Sequence, residues 1–327
     1  MKIWYDARTG KQVRYGIAIA KRLRKAGHTV LLTTREHPDT VALAELLGES
    51  FEVVGKYVAS SLLGRLQESA RRVLLFCEKF EDEPPDVCIS HRSVELCRIG
   101  FGLNIPVVST HDTVHNEVIS RLTMPLTDFL VVSKSIPKRF YENYGIARVF
   151  RFAGVDEIAW TKDYKPTPDM DYGRPLIVVR QMETRAIYTK GKKDMTEMLA
   201  FKLASLGKVV FLPRYDKRER KGLIVPKKFV DSANLVGRAD LVLSIGGTMS
   251  REAALQGTPS IVIRPVGISY ANEYLSDKGF PLFTVDPSEV FTYAKRYIGK
   301  RADVGDLMKQ MEDPTDTIER ITREKIK

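Results

Sequence analysis

ADLVLSIGGTMSREAALQGTPSIVI, residues 239–263, joins an apolar run, two glycines, an alanine-rich segment and a second apolar run. The apolar runs have the length and aliphatic content of buried strands, and the segment between them is long enough for a helix. Two neighbouring parallel strands need a crossover connection, which is usually a helix. The stretch therefore predicts a strand–turn–helix–strand unit of an open parallel sheet.

The turn of this unit offers a place for a ligand. Because Gly246 and Gly247 have no side chains, they can adopt positive φ and a ligand can approach their backbone closely. Thr248 is expected to cap a helix that begins at Met249. Amides at a helix start suit an anion such as a diphosphate; the alternative is a tight turn that binds nothing. Glu252 either accepts hydrogen bonds from a ribose or interacts with the helix dipole.

The same alternation extends over most of the 327 residues. Six apolar runs lie in the first 150 residues and five between 176 and 285, with helical patterns between them. The sequence therefore predicts an α/β protein of two doubly wound Rossmann-like domains that face each other across a cleft, where strand ends bind ligands. The predicted segments are an N-terminal domain, a linker, a C-terminal domain and a charged helical tail, at residues 1–160, 161–175, 176–303 and 304–327.

Composition narrows the class of partner. The net charge of +11 favours anionic partners, but the basic residues are mixed with acids and no nucleic-acid-binding motif is present, so nucleic acid is not expected. An apolar run of about 18 residues and a signal peptide are both missing, so we expect a cytoplasmic protein. Cys77, Cys88 and Cys97 lack ligand spacing and are expected to be buried free thiols.

A second group of candidate residues follows the predicted strand PVVST. The segment STHDTVHNE, residues 109–117, contains His111, Asp112 and Glu117. They are candidates for general acid or base catalysis, because histidine titrates near neutral pH; the alternative is a histidine that hydrogen-bonds at a helix start. HDTVH has the spacing of a zinc-binding HExxH, but its acid is an aspartate and a third ligand is not evident, so a metal is not expected.

Basic residues accompany several predicted strand ends. Arg180, Arg214 and Arg264 either bind phosphate oxygens beside the glycine turn or are solvated charges. In DARTGKQ, Gly10 and Lys11 offer amides and a cation to an anion, whereas Asp6 either acts as a base or braces the loop. Residues 213–228 carry seven basic side chains against two acids and are either a solvated mobile loop or a contact with an anionic lipid surface.

The glycine turn also resembles known motifs. SIGGTMSREAALQGTPSI is similar to the donor site of GT-B glycosyltransferases and UDP-N-acetylglucosamine 2-epimerases, which combine a Gly-Gly turn, a helix with a glutamate and Gly-x-Pro. By this resemblance Gly246, Gly247 and Thr248 bind the nucleotide diphosphate and Glu252 binds the ribose. Over its whole length the chain resembles a mainly archaeal family of unknown function, through MKIWYDARTGKQ, GHTVLLTTREHPDT, FLPR and GGTMSREAA.

The resemblances imply a GT-B-type glycosyltransferase that needs neither metal nor cofactor. Its donor would be a nucleotide-diphosphate sugar, with UDP the first choice, and its acceptor is open, with lipid-linked molecules and peripheral membrane contact among the candidates. One alternative is a nucleotide-sugar 2-epimerase, although Arg180 stands where those enzymes have a histidine and Asp112 interrupts their glutamate pattern. Another is a noncatalytic nucleotide-binding protein on the same scaffold.

Overall fold

The computed structural model describes residues 1–58, 61–167, 171–184, 194–264, 268–324 and 326. The chain forms two compact units, each of which is built on one sheet of parallel strands. The first unit consists of Met1–Trp160 and Glu312–Lys327, and the second unit consists of Thr161–Met311. The predicted α/β class with two doubly wound parallel sheets is confirmed.

The first unit contains a seven-stranded sheet with the order β3-β2-β1-β4-β5-β6-β7. Its strands are β1 (Lys2–Ala7), β2 (Thr29–Glu36), β3 (Glu52–Lys56), β4 (Val87–Ser90), β5 (Val107–His111), β6 (Phe129–Ser133) and β7 (Arg148–Phe152). Its helices in this part of the chain are α1 (Gly10–Lys25), α2 (Pro38–Leu46), α3 (Leu62–Lys79), α4 (Val94–Gly102) and α5 (Glu117–Thr123), and α6 (Ile158–Thr161) spans the unit boundary. The direction of strand addition reverses between β1 and β4.

Alternation along β1 explains why helices cover both faces of this sheet. Tyr5 lies in a core with Val13 and other apolar residues of α1, whereas its neighbour Trp4 lies in a separate core with Phe76 of α3 and Leu96 of α4. Successive side chains of a strand point to opposite faces, so a strand that is apolar throughout requires helices on both sides.

The second unit contains a five-stranded sheet with the order β12-β11-β10-β8-β9. Its strands are β8 (Leu176–Arg180), β9 (Lys208–Leu212), β10 (Leu241–Ser244), β11 (Ser260–Ile263) and β12 (Leu282–Val285). Its helices are α7 (Thr196–Leu203), α8 (Ser232–Arg238), α9 (Thr248–Leu255), α10 (Tyr270–Asp277), α11 (Val290–Tyr297) and α12 (Gly305–Lys309). Here the direction of strand addition reverses between β8 and β10. Arg180 is the last residue of β8, and the glycine turn follows β10.

The last helix of the chain, α13 (Pro314–Glu324), belongs to the first unit. Ile318 and Ile321 are fully buried in the core that α1 forms with the sheet. On the surface, Arg22 of α1 forms ion pairs with Asp316 and Glu319. The residues expected to be one tail at 304–327 are therefore divided, with α12 in the second unit and α13 in the first.

The cysteine prediction is correct at two positions and wrong at the third. Cys88 and Cys97 are buried free thiols, but Cys77 is exposed on α3. Leu74 and Leu75, close to it in the sequence, are also exposed, so a hydrophobic context did not mean burial there. Within the described ranges, none of the helices combines the length and apolarity that crossing a membrane requires.

Candidate functional site

The glycine turn of the second unit lies directly beyond β10, at the reversal point of the sheet. In open parallel sheets, ligands bind at such points, outside the carboxyl ends of the strands. Gly247 caps α9 with φ −87° and ψ −52°, and the helix begins at Thr248, one residue earlier than the sequence suggested. The helix start therefore has no side-chain cap. Because φ of Gly247 is negative, the left-handed conformation is not the reason for a glycine at this position.

Packing requires a glycine at only one of these two positions. A Cβ on Gly247 would collide with Nη1 of Arg251, so the guanidinium packs where a side chain would be. A Cβ on Gly246 would meet no other described atom within 4 Å. Glycine at position 246 is therefore not required by packing within the described chain, and the space beside it is open to an approaching group.

Glu252 is buried beneath this turn, with 1% of its surface exposed. Oγ of Ser232, the first residue of α8, donates to its Oε2 at 3.3 Å. Nη1 of the neighbouring Arg251 donates to Oδ1 of Asn272 at 3.0 Å. A carboxylate and a guanidinium are thus held on successive residues of the first turns of α9, a polar arrangement that is typical of a binding site.

The three arginines predicted to bind phosphate follow different strands of the second sheet, and these strands are not all neighbours of β10. Arg180 ends β8, which pairs directly with β10, and its Nη1 makes long hydrogen bonds of 3.5 and 3.4 Å to the carbonyls of Leu212 and Pro213. Arg264 follows β11, also beside β10, but it is largely exposed and pairs with Asp286 at 2.8 Å.

Arg214 follows β9, which β8 separates from β10. Its Nε donates to the carbonyl of Gln181 at 2.9 Å, so this side chain secures the loop after β8. Strand order therefore disfavours Arg214, and the exposure and ion pair of Arg264 disfavour that residue, so Arg180 is the best placed of the three for a ligand at the turn.

The basic segment at 213–228 is partly packed against the second unit. The Arg220 side chain is 4% exposed and its Nε lies 3.0 Å from Oε2 of Glu197. Backbone bonds of 2.8 Å join Ile224 to Phe211 and Val209. The run is therefore packed at Arg220 and Ile224, whereas its other six basic residues are exposed, as the interpretation as a solvated loop expects.

The first unit contains a buried group of charges, which we call the Lys11 cluster, at the same kind of sheet edge. Its members are Lys11, His91, Asp112, Asp156 and Glu157. They follow different strands and meet because the carboxyl ends of parallel strands lie at one edge of the sheet. Nζ of Lys11 lies 2.5 Å from Oδ2 of Asp112, 2.9 Å from Oδ2 of Asp156 and 3.5 Å from Oε1 of Glu157. One ammonium group therefore faces three carboxylates.

His91 is held in a fixed orientation within this cluster. Its Nδ1 lies 2.6 Å from Oγ1 of Thr110, and its Nε2 lies 3.3 Å from Oδ1 of Asp112. His91, Asp112 and Asp156 also offer ligand atoms within 4.8 Å of one another, but a divalent cation between these carboxylates would have to displace the Lys11 ammonium.

The three residues that the sequence grouped as catalytic occupy different environments. Asp112 belongs to the Lys11 cluster, with 15% of its side chain exposed. Thr110 of β5 faces His91, so strand alternation directs His111 to the opposite face of the sheet. Glu117, whose side chain is 66% exposed, begins α5 and pairs with Arg121 at 2.6 Å.

His111 is an unfavourable general base in this structure. It is 1% exposed, and neither ring nitrogen has a hydrogen-bond partner among the described residues. Burial, and then the neighbouring Arg92 guanidinium, lowers the pKa of His111 to about 3. The ring is therefore neutral at pH 7, far from the pKa that suits proton transfer near neutrality.

The remaining residues at the start of the first unit have structural partners. Thr9 caps α1, which begins at Gly10, and the cation of Lys11 is occupied by carboxylates. Asp6 is fully buried and accepts hydrogen bonds from Arg72 at 2.7 Å and from Ser93 at 2.6 Å. Asp6 thus has a structural role, in which it joins β1 to Arg72 of α3 and to Ser93.

Sequence reasoning missed His91, Asp156 and Glu157. His91 directly follows the predicted strand DVCIS, so the rule that selected Asp112 applies to it equally. Asp156 and Glu157 were missed because β7, the exposed edge strand before them, was not predicted. Recognising that strand would have placed both acids at the functional edge.

Solved structures share this two-sheet architecture. The neighbours include the MnaA–UDP co-structure from S. aureus (13% identity, TM-score 0.70, covering 98% of this chain and 96% of that one). UDP-GlcNAc 2-epimerase from Neisseria meningitidis bound to UDP-GlcNAc has 15% identity, TM-score 0.66 and 99% coverage of both chains. The spinosyn forosaminyltransferase SpnP has 15% identity and TM-score 0.65, covering 99% of this chain and 98% of that one. The fold is therefore that of GT-B glycosyltransferases and UDP-GlcNAc 2-epimerases.

Sequence relatives define the family. An uncharacterized protein of Methanocaldococcus jannaschii is 30% identical over 334 aligned residues, which cover 97% of this chain and 96% of the relative. A family model described as "Protein of unknown function (DUF354)" matches residues 1–327. The chain therefore belongs to the DUF354 family.

Proposed function

We propose that the protein binds a nucleoside diphosphate sugar at the Gly246–Gly247 turn and transfers the sugar to an acceptor. The observation that carries this proposal is the open space beside Gly246 at the reversal point of the second sheet, next to the start of α9, the helix that carries the buried Glu252. Two neighbours of the same fold are complexes with UDP and with UDP-GlcNAc, which supports a uracil nucleotide as the first ligand to test.

Each part of the turn has a defined task in this proposal. The amides at the start of α9 and the Arg180 guanidinium bind the diphosphate, since helix amides and arginine both complement phosphate oxygens. Glu252 accepts hydrogen bonds from the ribose hydroxyls, a charge-assisted interaction. Sugar transfer leaves negative charge on the departing diphosphate, and the same amides and arginine stabilise that charge without a metal.

The proton transfer is assigned to the Lys11 cluster. Asp112 is its most accessible carboxylate and touches His91, so this pair accepts the proton of an acceptor hydroxyl. His111 and Glu117 have no part in this step, because one is buried and neutral and the other is exposed and paired with Arg121.

The binding proposal is tested with Gly246→Ala. A methyl group at this position meets nothing in the described chain, so we expect thermal stability to stay within about 0.5 kcal/mol. The same methyl group would block a phosphate, so the stabilisation by UDP, about 2.7 kcal/mol at a hundred times its Kd, should be largely lost. Differential scanning fluorimetry with UDP and UDP-sugars measures both.

Matched variants locate the ligand. Gly10→Ala, which brings only an ordinary contact with Leu43, should leave UDP binding unchanged. Glu252→Gln should weaken UDP binding by roughly 10- to 100-fold but leave pyrophosphate binding nearly unchanged, because only the ribose contact is altered. Undiminished UDP binding in Gly246→Ala, or a loss in Gly10→Ala instead, would contradict the assignment of the turn.

Epimerisation of the bound sugar is a second candidate, which the buried Asp112–His91–Asp156 group favours because inversion at a carbon needs an acid and a base. A UDP-sugar incubated with the protein in D₂O, without acceptor, separates the two reactions. Deuterium at a sugar carbon identifies epimerisation, whereas an unlabelled sugar that is consumed only after an acceptor is added identifies transfer.

A further inference from the structure

Helix α3 has its polar and apolar sides reversed relative to an ordinary surface helix. Its buried residues are Glu68, Arg72 and Phe76, of which only Phe76 is apolar. Leu62, Leu66 and Leu74 lie on the outward side with 76%, 68% and 64% of their surfaces exposed. Surface helices normally direct their apolar residues to the core, so the outward side of α3 has the composition of a surface that contacts an apolar partner.

The exposed apolar surface continues on the neighbouring helices. α4 packs against both α3 and α5 on one side of the sheet. The large exposed apolar side chains of α3, α4 and α5, with Leu103 at the end of α4, constitute what we call the leucine face: Leu62, Leu63, Leu66, Leu74, Leu75, Phe101, Leu103, Val118 and Leu122. Single exposed apolar residues are ordinary, but a group on three adjacent helices indicates an interaction site.

The charges among these residues identify the kind of partner. The exposed charged positions of α3, α4 and α5 are five basic and two acidic residues: Arg65, Arg71, Lys79, Arg98, Arg121, Glu78 and Glu117. A second copy placed symmetrically on this surface would bring the same net positive charge against itself. An anionic lipid surface matches both properties, since leucines enter the acyl boundary and arginines meet the headgroups.

We propose that the leucine face docks on an anionic phospholipid bilayer. Docking in this form is peripheral: α3 lies along the bilayer surface with Leu62, Leu66 and Leu74 directed into it. This inference concerns the first unit alone and does not depend on the glycine turn or on any reaction. It differs from the lipid contact considered for residues 213–228, which belong to the second unit.

Vesicle flotation with the full chain tests the proposal. We expect the protein to float with phosphatidylcholine vesicles that contain about one third phosphatidylglycerol, and to stay behind with phosphatidylcholine alone or at high salt. Leu66→Glu combined with Leu74→Glu should reduce the floated fraction roughly tenfold or more, because apolar burial is lost and negative charge is added. Arg65→Gln and Arg71→Gln should each reduce partitioning about fivefold.

The matched control is Met198→Glu on α7 of the second unit, which replaces an apolar side chain that is 60% exposed. It should float like the unaltered protein, and circular dichroism should show that all variants fold. Equal flotation on neutral and anionic vesicles, or flotation that the leucine variants do not change, would overturn the proposal. A dimer, seen by size-exclusion chromatography with light scattering, that the leucine variants dissociate would also overturn it and assign the face to a second copy.

Discussion

At the scale of single residues, burial determines which side chains of the first unit exchange protons. His111 and Asp112 are adjacent in the sequence, but one lies within the sheet and the other at its edge. The imidazole is surrounded by low-dielectric protein, and the Arg92 guanidinium has the largest electrostatic influence among the neighbouring charges. Both effects disfavour the imidazolium, so protonation of His111 opposes the folded state.

This environment predicts a pH dependence of stability. The pKa of His111 is lowered from 6.5 to about 3 on folding, so between these values the unfolded chain binds a proton that the folded chain does not. Stability from His111 is therefore fully present above pH 6.5 and declines as the pH falls toward 3. Between about pH 7.5 and 5.5 the loss is about 1.4 kcal/mol.

His111→Leu should remove this contribution, because a leucine does not titrate. The measurement is the free energy of unfolding in urea at both pH values, in the unaltered chain and in the variant. His115→Gln, at an exposed histidine of the same loop, is the control and should keep the full pH dependence. If His111→Leu keeps the same difference between the two pH values, the ring is protonated in the folded protein and our description of it is wrong.

At the scale of elements, α3 is fixed to the sheet by a buried ion pair. Nη2 of Arg72 lies 2.7 Å from Oδ1 of Asp6 on β1, and Nε donates to the carbonyl of Val54 on β3 at 2.8 Å. The guanidinium also lies 5.2 Å from the centre of the Phe76 ring. One side chain thus connects the helix to two strands, which permits the outward side of α3 to be apolar.

Arg72→Ala should therefore be strongly destabilising. The matched control is the same substitution at the neighbouring Arg71. Removing Arg72 leaves Asp6 fully buried without its countercharge, which costs about 3–5 kcal/mol. Arg71→Ala, at a side chain that is 73% exposed, should cost less than about 0.5 kcal/mol. Urea unfolding followed by fluorescence of Trp4, which packs on Phe76, measures both. Similar costs for the two variants would show that Asp6 does not need Arg72.

The sequence predicts elements better than it predicts their contacts. Runs such as DVCIS and PVVST fix buried strands because each residue is apolar or small and each run is bounded by breaks. The exposed strand β7, with Arg148 and Arg151 among its residues, lacks that signal and was missed. The Lys11 cluster was missed as a unit for a different reason: its members come from four separate loops, and local sequence contains no information about which distant loops share a sheet edge.

At the scale of the whole molecule, the first unit is discontinuous in sequence. Its β1 begins at Lys2, yet its core also includes Ile318, Ile321 and Ile326 from the end of the chain. The amide of Glu312 donates to the carbonyl of Ala153 at 2.8 Å where the chain re-enters this unit. The charged composition of 304–327 indicates a solvated helix, and only the spacing of its isoleucines reveals that α13 has a buried side.

The first unit should therefore depend on α13 for its stability. Ile318→Ala removes a fully buried side chain between α13 and α1 and should cost about 2–5 kcal/mol, whereas Arg320→Ala, at an exposed position of the same helix, should cost less than about 0.5 kcal/mol. Tryptophan fluorescence reports this selectively, because both tryptophans of the chain, Trp4 and Trp160, lie in the first unit. The urea midpoint of the fluorescence transition should fall in Ile318→Ala alone; equal midpoints in the two variants would show that α13 contributes little to the first unit.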